Sequence, residues 1–380
     1  MNLEYTPDQR AFRQEVRAWM EANVPQHPLP SFDLTREGFE AHRDWERRLN
    51  EGRWGMVTWP EHLGGRDLDL IRWLIFEEEY YRAGAPTRVN QNGIFLLGPT
   101  LMEFGTEEQK QRFLPSMAAG DIVWAQAWSE PGAGSDLAGV RSTCTQDGDE
   151  YVLNGQKIWS SRAVFADWAF GLFREPGSER HKGMSLILFP LDAPGVTRRP
   201  IKRMDGEMVF AEIFLDNVRV PVGDRLGGEG EGWKVCMATA GFERGLLLRS
   251  PARYQVAASK LIALYQARKE SLPASMAERV ARSWMDAEAY ALTIYQMCSR
   301  LAGGGTIGPE SSTNKIFWSE LDMALHQTAL DILGAEAELA DGGDGWLDGW
   351  LFALSGPIYA GSNEIQRNII AERMLGLPKG

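Results

Sequence analysis

Residues 124–136 read Trp-Ala-Gln-Ala-Trp-Ser-Glu-Pro-Gly-Ala-Gly-Ser-Asp, a short strand-like stretch that runs into a turn rich in glycine. Glycine lets backbone N–H groups approach an anion closely, and the hydroxyl of Ser135 offers one further donor. The stretch therefore suits the pyrophosphate of a nucleotide, although an ordinary tight turn would show the same residues. The chain has neither a Walker A sequence nor a Gly-x-Gly-x-x-Gly after a strand, which argues against P-loop and Rossmann sites.

The residues before this stretch predict helices. Apolar side chains recur at helical spacing in three segments, 8–23, 36–51 and 70–81. Thr6 followed by Pro7 gives a start signal for the first of them, because threonine caps helices and proline suits the first helical position. We therefore expect a helical domain over residues 1–120.

The residues after it predict a β domain and then more helices. Short runs of β-branched and aromatic residues alternate with turn signals between about 121 and 230. Helical spacing returns in five segments, 233–248, 252–268, 274–301, 311–334 and 362–375. Pro251 should end or kink the helix that reaches it. The order indicates an α+β chain, with the β domain at 121–230 and a helical bundle at 231–380.

A second candidate segment follows the pair Asn154-Gly155, which is typical of a hairpin turn. The turn would deliver Trp159, Ser160 and Ser161 onto the next strand. An indole can lie flat against a planar ring, and serine hydroxyls can form hydrogen bonds with ring nitrogens. The alternative is a core tryptophan followed by two serines at a strand end.

Two further segments lie in the helical C-terminal part. Glu243 stands in an apolar stretch, where desolvation would disfavour its ionised form and make it a better-matched general base near neutral pH. It could equally pair with a basic side chain at a helix–helix contact. Gly361 and Ser362 precede the last helix, where free N–H groups would suit an anion or a ribityl chain, or simply a capped helix.

The composition argues against several functional classes. Lys and Arg total 40 while Asp and Glu total 52, which gives a net charge of −12 and a pI of about 5.1. An acidic surface repels phosphate backbones, so we expect no nucleic-acid partner. The three cysteines form no Cys-x-x-Cys pair and the five histidines no His-x-x-x-His spacing, so we expect no metal site. We expect no signal peptide, no membrane segment and a cytoplasmic location.

Taken together and in this order, the segments resemble the acyl-CoA dehydrogenase family, most closely its bacterial FadE-type members. The likeness extends over essentially the whole chain, with further matching stretches at residues 5–17, 59–66 and 105–115. The resemblance implies a helical N-terminal domain, a central β-barrel and a C-terminal four-helix bundle, with FAD as the cofactor.

The resemblance also implies which residues contact FAD. Residues 126–135 would follow the flavin and its phosphates, Trp159 would back the isoalloxazine ring, and Ser161 would lie near its N5. Arg268 and Asp331 are candidates for a contact with the FAD of a neighbouring subunit. The complete set is Gln126, Trp128, Ser129, Gly134, Ser135, Trp159, Ser160, Ser161, Arg268, Asp331, Gly361, Ser362 and Glu364.

The reaction that the resemblance implies is the α,β-desaturation of an acyl thioester, in which a carboxylate removes the α-proton while the β-hydride passes to flavin N5. The family's usual base is the glutamate of a Tyr-Glu-Gly-Thr segment, and this chain has Ala360 in that place. A minority of members carry the base on the earlier helix, immediately before an arginine, as Glu243 precedes Arg244 here. The resemblance thus favours Glu243 over Glu364 as the base, with Ser135, Arg244 and Ala360 at the substrate.

The partners implied are an acyl-CoA substrate, an electron-transfer flavoprotein and further copies of the chain, in a tetramer or a dimer. Two departures, Ala360 and Leu354 in place of a basic residue, also fit a catalytically silent or partner-dependent subunit of a mixed tetramer. An oxidase that uses oxygen directly, or an enzyme acting on a carrier-protein thioester, is a further alternative. The identity of the acyl group does not follow from the sequence.

Overall fold

The computed structural model describes residues 4–244, 250–339 and 345–379, except for the side chains of residues 242–244. Contacts between residues divide the chain into two compact units. The first unit comprises Met1–Val24, Asp69–Ala85 and Arg244–Gly380, and the second comprises Pro25–Leu68 and Pro86–Glu243. The chain therefore passes from one unit to the other four times.

Eleven α-helices lie within the described ranges. They are α1 (Pro7–Asn23), α2 (Arg36–Glu51), α3 (Leu70–Arg82), α4 (Gly98–Phe104), α5 (Glu107–Ala118), α6 (Gly232–Arg244), α7 (Pro251–Arg268), α8 (Ser275–Ala302), α9 (Ser311–Leu333), α10 (Trp346–Ala353) and α11 (Asn363–Ile369). Two π-helical turns lie at Asn92–Leu97 and Ile370–Met374. Within the described chain, no helix is long and apolar enough to cross a bilayer.

Several helix boundaries were predicted correctly from local signals. The hydroxyl of Thr6 accepts a hydrogen bond from the Gln9 amide at 3.2 Å, and the Gln9 side chain accepts one from the Thr6 amide at 3.0 Å. This reciprocal cap begins α1 where the sequence predicted. Pro251 is the first residue of α7, behind the cap residue Ser250. The last residues of the helix predicted at 233–248 lie outside the described range.

The first unit is helical, and α3 packs against α1, α7 and α8. The carboxylate of Glu79 on α3 is buried and forms ion pairs with three guanidinium groups. The nitrogen–oxygen distances are 3.1 Å to Arg13, 2.9 Å to Arg17 and 2.6 Å to Arg82. Burial raises the pKa of Glu79, but these three guanidinium groups more than offset it and hold the pKa below its usual range. The pairs of Glu79 with Arg13 and Arg17 connect α1 to α3.

The second unit is built on one sheet of eight strands. They are β1 (Trp124–Ala127), β2 (Thr143–Asp147), β3 (Glu150–Ser161), β4 (Trp168–Arg174), β5 (Met184–Pro190), β6 (Val196–Ile201), β7 (Phe210–Pro221) and β8 (Arg225–Leu226). The order is β6-β7-β3-β2-β4-β5-β8, and β1 pairs with β4 in parallel. Alternate residues of β3 and β7 are buried in the core, among them Leu153, Ile213 and Val220.

The hairpin turn predicted at Asn154-Gly155 is wrong. Both residues lie inside β3, and the turn that joins β2 to β3 falls at the residues between Asp147 and Glu150. The Asn154 side chain accepts a hydrogen bond from the Asn217 amide of β7 at 2.8 Å, so it bridges two strands instead of closing a turn. Gly155 has a φ of 139° and lies at a register shift between β3 and β7. The glycine serves a β-bulge here.

Candidate active site

The loop after β1 is a tight turn whose glycines border open space. The amides and carbonyls of Glu130 and Ala133 exchange two hydrogen bonds, of 2.9 and 3.0 Å. A Cβ atom added at Gly132 or Gly134 would meet no heavy atom within 4 Å. Neither glycine has a positive φ. Nothing within the described chain therefore requires glycine at these positions, whereas a ligand that approaches the backbone closely would.

A buried ion pair connects this loop to β3. Lys157 is completely buried, and its ammonium donates to Oε1 of Glu130 at 2.8 Å and to the carbonyl of Leu172 at 2.5 Å. The other oxygen of the Glu130 carboxylate accepts from the Arg141 amide at 2.6 Å. Burial raises the pKa of Glu130, but Lys157 outweighs it and holds the pKa below its usual range. No local pattern predicts this pair, because 27 residues separate its members.

The two segments predicted to contact the flavin are brought together in the second unit. The amide of Ile158 donates to the carbonyl of Ser129 at 2.9 Å, next to the ion pair. This bond places residues 126–135 beside the start of the sequence Trp159-Ser160-Ser161. Strand β3 shifts register between Lys157 and Ser160, and such bulges re-aim side chains.

Trp159 is not a core residue. Its φ is 59°, in the left-handed region that non-glycine residues seldom adopt, and its side chain is 56% exposed. The indole packs edge-on against Phe210, with ring centroids 5.9 Å apart and planes at 90°. A large apolar ring is thus held in a fixed orientation with much of its surface uncovered, as expected where a planar ligand stacks.

Two polar atoms near this tryptophan are buried without a partner. The hydroxyl of Ser160 and the indole N–H of Trp128 form no hydrogen bond with any described residue. Ser161 is half-buried, and its carbonyl accepts from the Asn92 side chain at 3.5 Å. Buried polar groups are nearly always satisfied, so the two orphaned groups are suited to partners on a bound molecule.

Arg162, directly after Ser161, belongs to a cluster of charged residues that the sequence did not predict. Arg162 has a φ of 65°, and its guanidinium lies over the ring of Phe32, 5.1 Å from the centroid. Asp33 is buried beside it. Burial raises the pKa of Asp33 to about 6, against the opposing effect of Arg162 and Arg203. A carboxyl group of this kind titrates just below neutral pH.

The predicted base falls at the end of α6. The backbones of Glu243 and Arg244 form the last turn of that helix, which begins at Gly232. Their side chains lie outside the described part of the chain. Their assignment as base and substrate contact therefore stays a prediction.

In the first unit, the segment before α11 has an unusual backbone. Ala360 and Gly361 have φ angles of 57° and 77°, two left-handed residues in succession. The hydroxyl of Ser362 caps α11 by accepting from the Ile365 amide at 3.4 Å. Glu364 is exposed, and contacts with its own amide and the Ser362 hydroxyl lower its pKa. An exposed carboxylate with a lowered pKa is a poor match for a general base near neutral pH.

Both residues predicted to reach a neighbouring subunit's FAD are engaged within the first unit. Arg268 pairs with Glu336 at 2.6 Å, and Asp331 pairs with Arg279 at 2.6 Å. Asp331 also accepts a hydrogen bond from the side-chain amide of Gln327 at 2.9 Å. Each charge is therefore compensated by a neighbour on its own chain.

The residues of the second unit fit a flavin nucleotide. The open glycine loop suits phosphate, the exposed face of Trp159 suits a planar ring, and the orphaned Ser160 hydroxyl and Trp128 N–H suit the polar atoms of such a ring. All of these features lie in or beside residues 126–135 and 159–161.

Family models match almost the whole chain. The acyl-CoA dehydrogenase N-terminal domain matches residues 6–121, the middle domain residues 125–218 and the C-terminal domain residues 230–375. The chain belongs to the acyl-CoA dehydrogenase family. The family resemblance, the fold and the enzyme class, a FAD-dependent oxidoreductase, are thereby confirmed.

Individual relatives agree with this assignment. The chain is 40% identical over 382 residues to "Acyl-CoA dehydrogenase IpdE1" of Mycobacterium tuberculosis (strain ATCC 25618 / H37Rv). The alignment covers 98% of each chain. It is similar in structure to "Tcur3481-Tcur3483 steroid ACAD", with a TM-score of 0.88, 28% identity and complete coverage of both chains. It is also similar to the ChsE4-ChsE5 complex of Mycobacterium tuberculosis, with a TM-score of 0.83, 31% identity and complete coverage of both chains.

Proposed function

We propose that this member of the family catalyses the α,β-dehydrogenation of an acyl-CoA thioester, with Glu243 as the base. The observation that carries the proposal is the arrangement in the second unit, where the glycine loop and the Trp159 segment are joined by the Ile158–Ser129 hydrogen bond and the buried pair of Lys157 with Glu130. These features are suited to a flavin, and the family is one of flavoproteins.

The residues that we propose contact FAD are those that the family resemblance implies. In the second unit, they are Gln126, Trp128, Ser129, Gly134, Ser135, Trp159, Ser160 and Ser161. In the first unit, they are Gly361, Ser362 and Glu364, with Arg268 and Asp331 for the FAD of a neighbouring copy. Bound FAD would supply the hydride acceptor, N5, for the β-hydrogen of the substrate.

The chain itself would supply the proton transfer and the carbonyl contact. Glu243 takes the α-proton, and the departing proton and hydride leave a double bond between the α and β carbons. Negative charge develops on the thioester oxygen, and we propose that the amide of Ala360 donates to it. Ala360 has no carboxylate, so it cannot be the base, while its amide survives the replacement. Arg244 and Ser135 are proposed as substrate contacts.

The acyl group is proposed to be bulky. One structural relative at 28% identity is described as a "steroid ACAD", and bases on the earlier helix fit branched or bulky acyl groups by analogy. A test panel should therefore include steroid-derived thioesters beside straight and branched chains.

The experiment is an anaerobic titration of the purified flavoprotein with that panel, followed by its visible spectrum. Bleaching of the flavin by one thioester supports the proposal and begins to define the substrate. Glu243→Gln should keep FAD, and its rate of bleaching should fall by about 10²- to 10⁴-fold, as expected when a general base is removed. Glu278→Gln, at an exposed glutamate of α8, is the matched control and should bleach as the wild type does. Near-normal bleaching by Glu243→Gln would overturn the assignment.

A second candidate function is a subunit of a mixed assembly. Two of the structural relatives are described as pairs of different proteins, and the pairing of Arg268 with Glu336 occupies a residue proposed to reach a neighbour's cofactor. Native mass and FAD content of the protein purified alone distinguish the two. A flavin-loaded homo-oligomer supports the first proposal, and a flavin-free protein supports the second.

The electron acceptor is proposed to be an electron-transfer flavoprotein. Hydrogen peroxide formed in stoichiometric amounts during turnover in air would indicate an oxidase instead. Reaction with a carrier-protein thioester but not with the matching CoA thioester would indicate the carrier-dependent alternative.

A further inference from the structure

The backbone at Ala360 and Gly361 is held in its left-handed conformation by one side chain. Gln366, in α11, is completely buried, and its Nε2 donates to the carbonyls of Ala360 and Gly361, each at 3.2 Å. Only the amide nitrogen of glutamine can donate, so two carbonyl partners fix its orientation. A non-glycine residue adopts a positive φ only where its surroundings impose it.

The position next to Ala360 leaves no space for a different arrangement. A Cβ atom added at Gly361 would lie 2.6 Å from Nε2 of Gln366. Gly361 is therefore required both for its φ of 77° and for the close approach of this amide. A side chain at 361 would force this nitrogen to move from its present position.

The same turn is anchored on its other side. The amide of Asn363 donates to the carbonyl of Pro357 at 2.8 Å, and the Tyr359 amide donates to that of Ser355 at 3.2 Å. Lys315 in α9 donates to the Asn363 side chain at 2.8 Å. The peptide between Tyr359 and Ala360 is thus fixed on both sides. The Tyr359 amide before it and the Ala360 carbonyl after it each form a hydrogen bond.

That peptide carries an N–H that is left available. Among the described residues, none accepts a hydrogen bond from the Ala360 amide. A donor of fixed direction and without a partner costs no reorganisation when negative charge develops in front of it, which is what carbonyl polarisation requires.

The side chain of Gln366 satisfies only its amide nitrogen. Its Oε1 is buried and has no hydrogen-bond partner among the described residues. A buried acceptor without a partner is unfavourable, and an apolar side chain of similar size would avoid it. The benefit of the residue therefore lies with its two donors, which act on the backbone of Ala360 and Gly361.

We propose that Gln366 is a positioning residue that aims the Ala360 amide at the thioester carbonyl. The inference rests on the proposed function, since it needs a thioester in front of Ala360. It assigns to α11 a role in recognising the carbonyl group as distinct from the remainder of the ligand.

The test compares two CoA ligands that differ only at the carbonyl. The first is the 3-thia analogue of the acyl-CoA that bleaches the flavin, in which sulfur replaces the β-carbon so that no hydride can leave. The second is the corresponding alkyl-CoA thioether, in which CH₂ replaces the carbonyl. Both are titrated into the holoenzyme, and the shift of the flavin absorbance gives the Kd of each.

The wild type should bind the thioester more tightly than the thioether by about tenfold or more, the worth of one good hydrogen bond to developing charge. Gln366→Leu should lose about tenfold in thioester affinity and change thioether affinity by less than about twofold. Asn368→Ala, on the exposed side of α11, is the matched control and should retain the full preference.

Gln366→Glu adds a pH signature. An ionised carboxylate cannot donate to the two carbonyls, whereas its protonated form can donate to one of them. The thioester preference of this variant, compared with that of the wild type at the same pH, should therefore be absent at pH 8 and partly restored at pH 5.5.

The outcomes separate the two proposals. A wild type without any preference for the thioester would overturn the role of the Ala360 amide and with it the proposed function at this atom. A preference that survives in Gln366→Leu, or falls equally for both ligands, would overturn the inference alone. Failure of both Gln366 variants to yield folded holoenzyme would show a structural role and would also overturn it.

Discussion

The ammonium of Lys157 lies 2.8 Å from Oε1 of Glu130, and both side chains are buried. The pair joins β3, at the point where the flavin-facing residues begin, to the glycine loop after β1. Two segments that are separate in sequence are thereby held at one fixed spacing.

Removal of one partner should damage both stability and cofactor binding. Lys157→Met would leave a buried carboxylate without its counter-charge, which typically costs about 3–5 kcal/mol of unfolding free energy. We expect a large fall in the urea midpoint and loss of FAD from the purified protein. The control is Lys110→Met, which removes an exposed pair with Glu107 and should change stability by less than about 1 kcal/mol. Equal effects of the two substitutions would contradict the assignment.

Loss of the exposed indole should weaken FAD binding without unfolding the protein. Stacking of one ring on an aromatic side chain is worth about 1–3 kcal/mol, so Trp159→Leu should raise the Kd for FAD by about ten- to a hundredfold. Titration of the flavin-free protein with FAD gives this value. Trp284→Leu, at another exposed tryptophan on α8, should leave the Kd unchanged. Tight FAD binding by Trp159→Leu would show that the ring does not stack there.

The buried carboxyl of Asp33 predicts a pH dependence. Its pKa is raised by burial to about 6 in the folded protein and returns to about 3.8 on unfolding, so the folded state binds more protons between these values. The contribution to stability is fully present below pH 4 and is lost as the pH rises through 6. Its upper limit is about 3 kcal/mol.

The measurement is the unfolding free energy at pH 4.5 and at pH 7.5 in the wild type and in Asp33→Asn. The amide does not titrate, so the variant should lack this part of the fall between the two pH values. Asp44→Asn, on the exposed face of α2, should behave as the wild type does. Identical profiles in all three proteins would place the pKa of Asp33 near its ordinary value.

The positive φ of Ala360 predicts that two small substitutions change the stability of the protein in opposite directions. Ala360→Gly should stabilise the holoenzyme by roughly 1 kcal/mol, because glycine adopts a φ of 57° without steric cost. Ala360→Val should destabilise it by more than that, since a β-branched residue is strongly disfavoured there. Thermal unfolding midpoints decide the matter, and destabilisation by both substitutions would show that the methyl group packs favourably. Neither change removes the amide N–H.

Local signals in the sequence predicted most of the elements. The cap at Thr6 and the helical spacing that follows it set α1, and the apolar runs of β4 and β5 are buried along nearly their whole length. Strand β6 could not be predicted from its sequence, Val-Thr-Arg-Arg-Pro-Ile, because it carries two arginines and a proline and its side chains are half-buried or exposed. Edge strands of this kind lack an apolar pattern.

The candidate site was predicted only in part, for a physical reason. Glycine and tryptophan at 134 and 159 are visible in a single sequence, but the groups that position them are not. In the sequence, Lys157 does not differ from other charged residues of a strand, and Gln366 does not differ from other polar residues of a helix. Their roles depend on partners that only the folded chain brings near, and no local pattern encodes such contacts.

The asymmetric division of the chain sets an order of assembly during synthesis. Helix α3 leaves the ribosome early, whereas its partners α7 and α8 begin only at residues 251 and 275. Synthesis proceeds at about 5–20 residues per second. The apolar side chains of α3, such as Trp73 and Phe76, therefore remain without their packing partners for roughly 10–40 s. The second unit is fully synthesised in that interval. Until α7 and α8 are synthesised, the nascent chain exposes these apolar side chains, and we expect chaperones that bind apolar segments to recognise it at that stage.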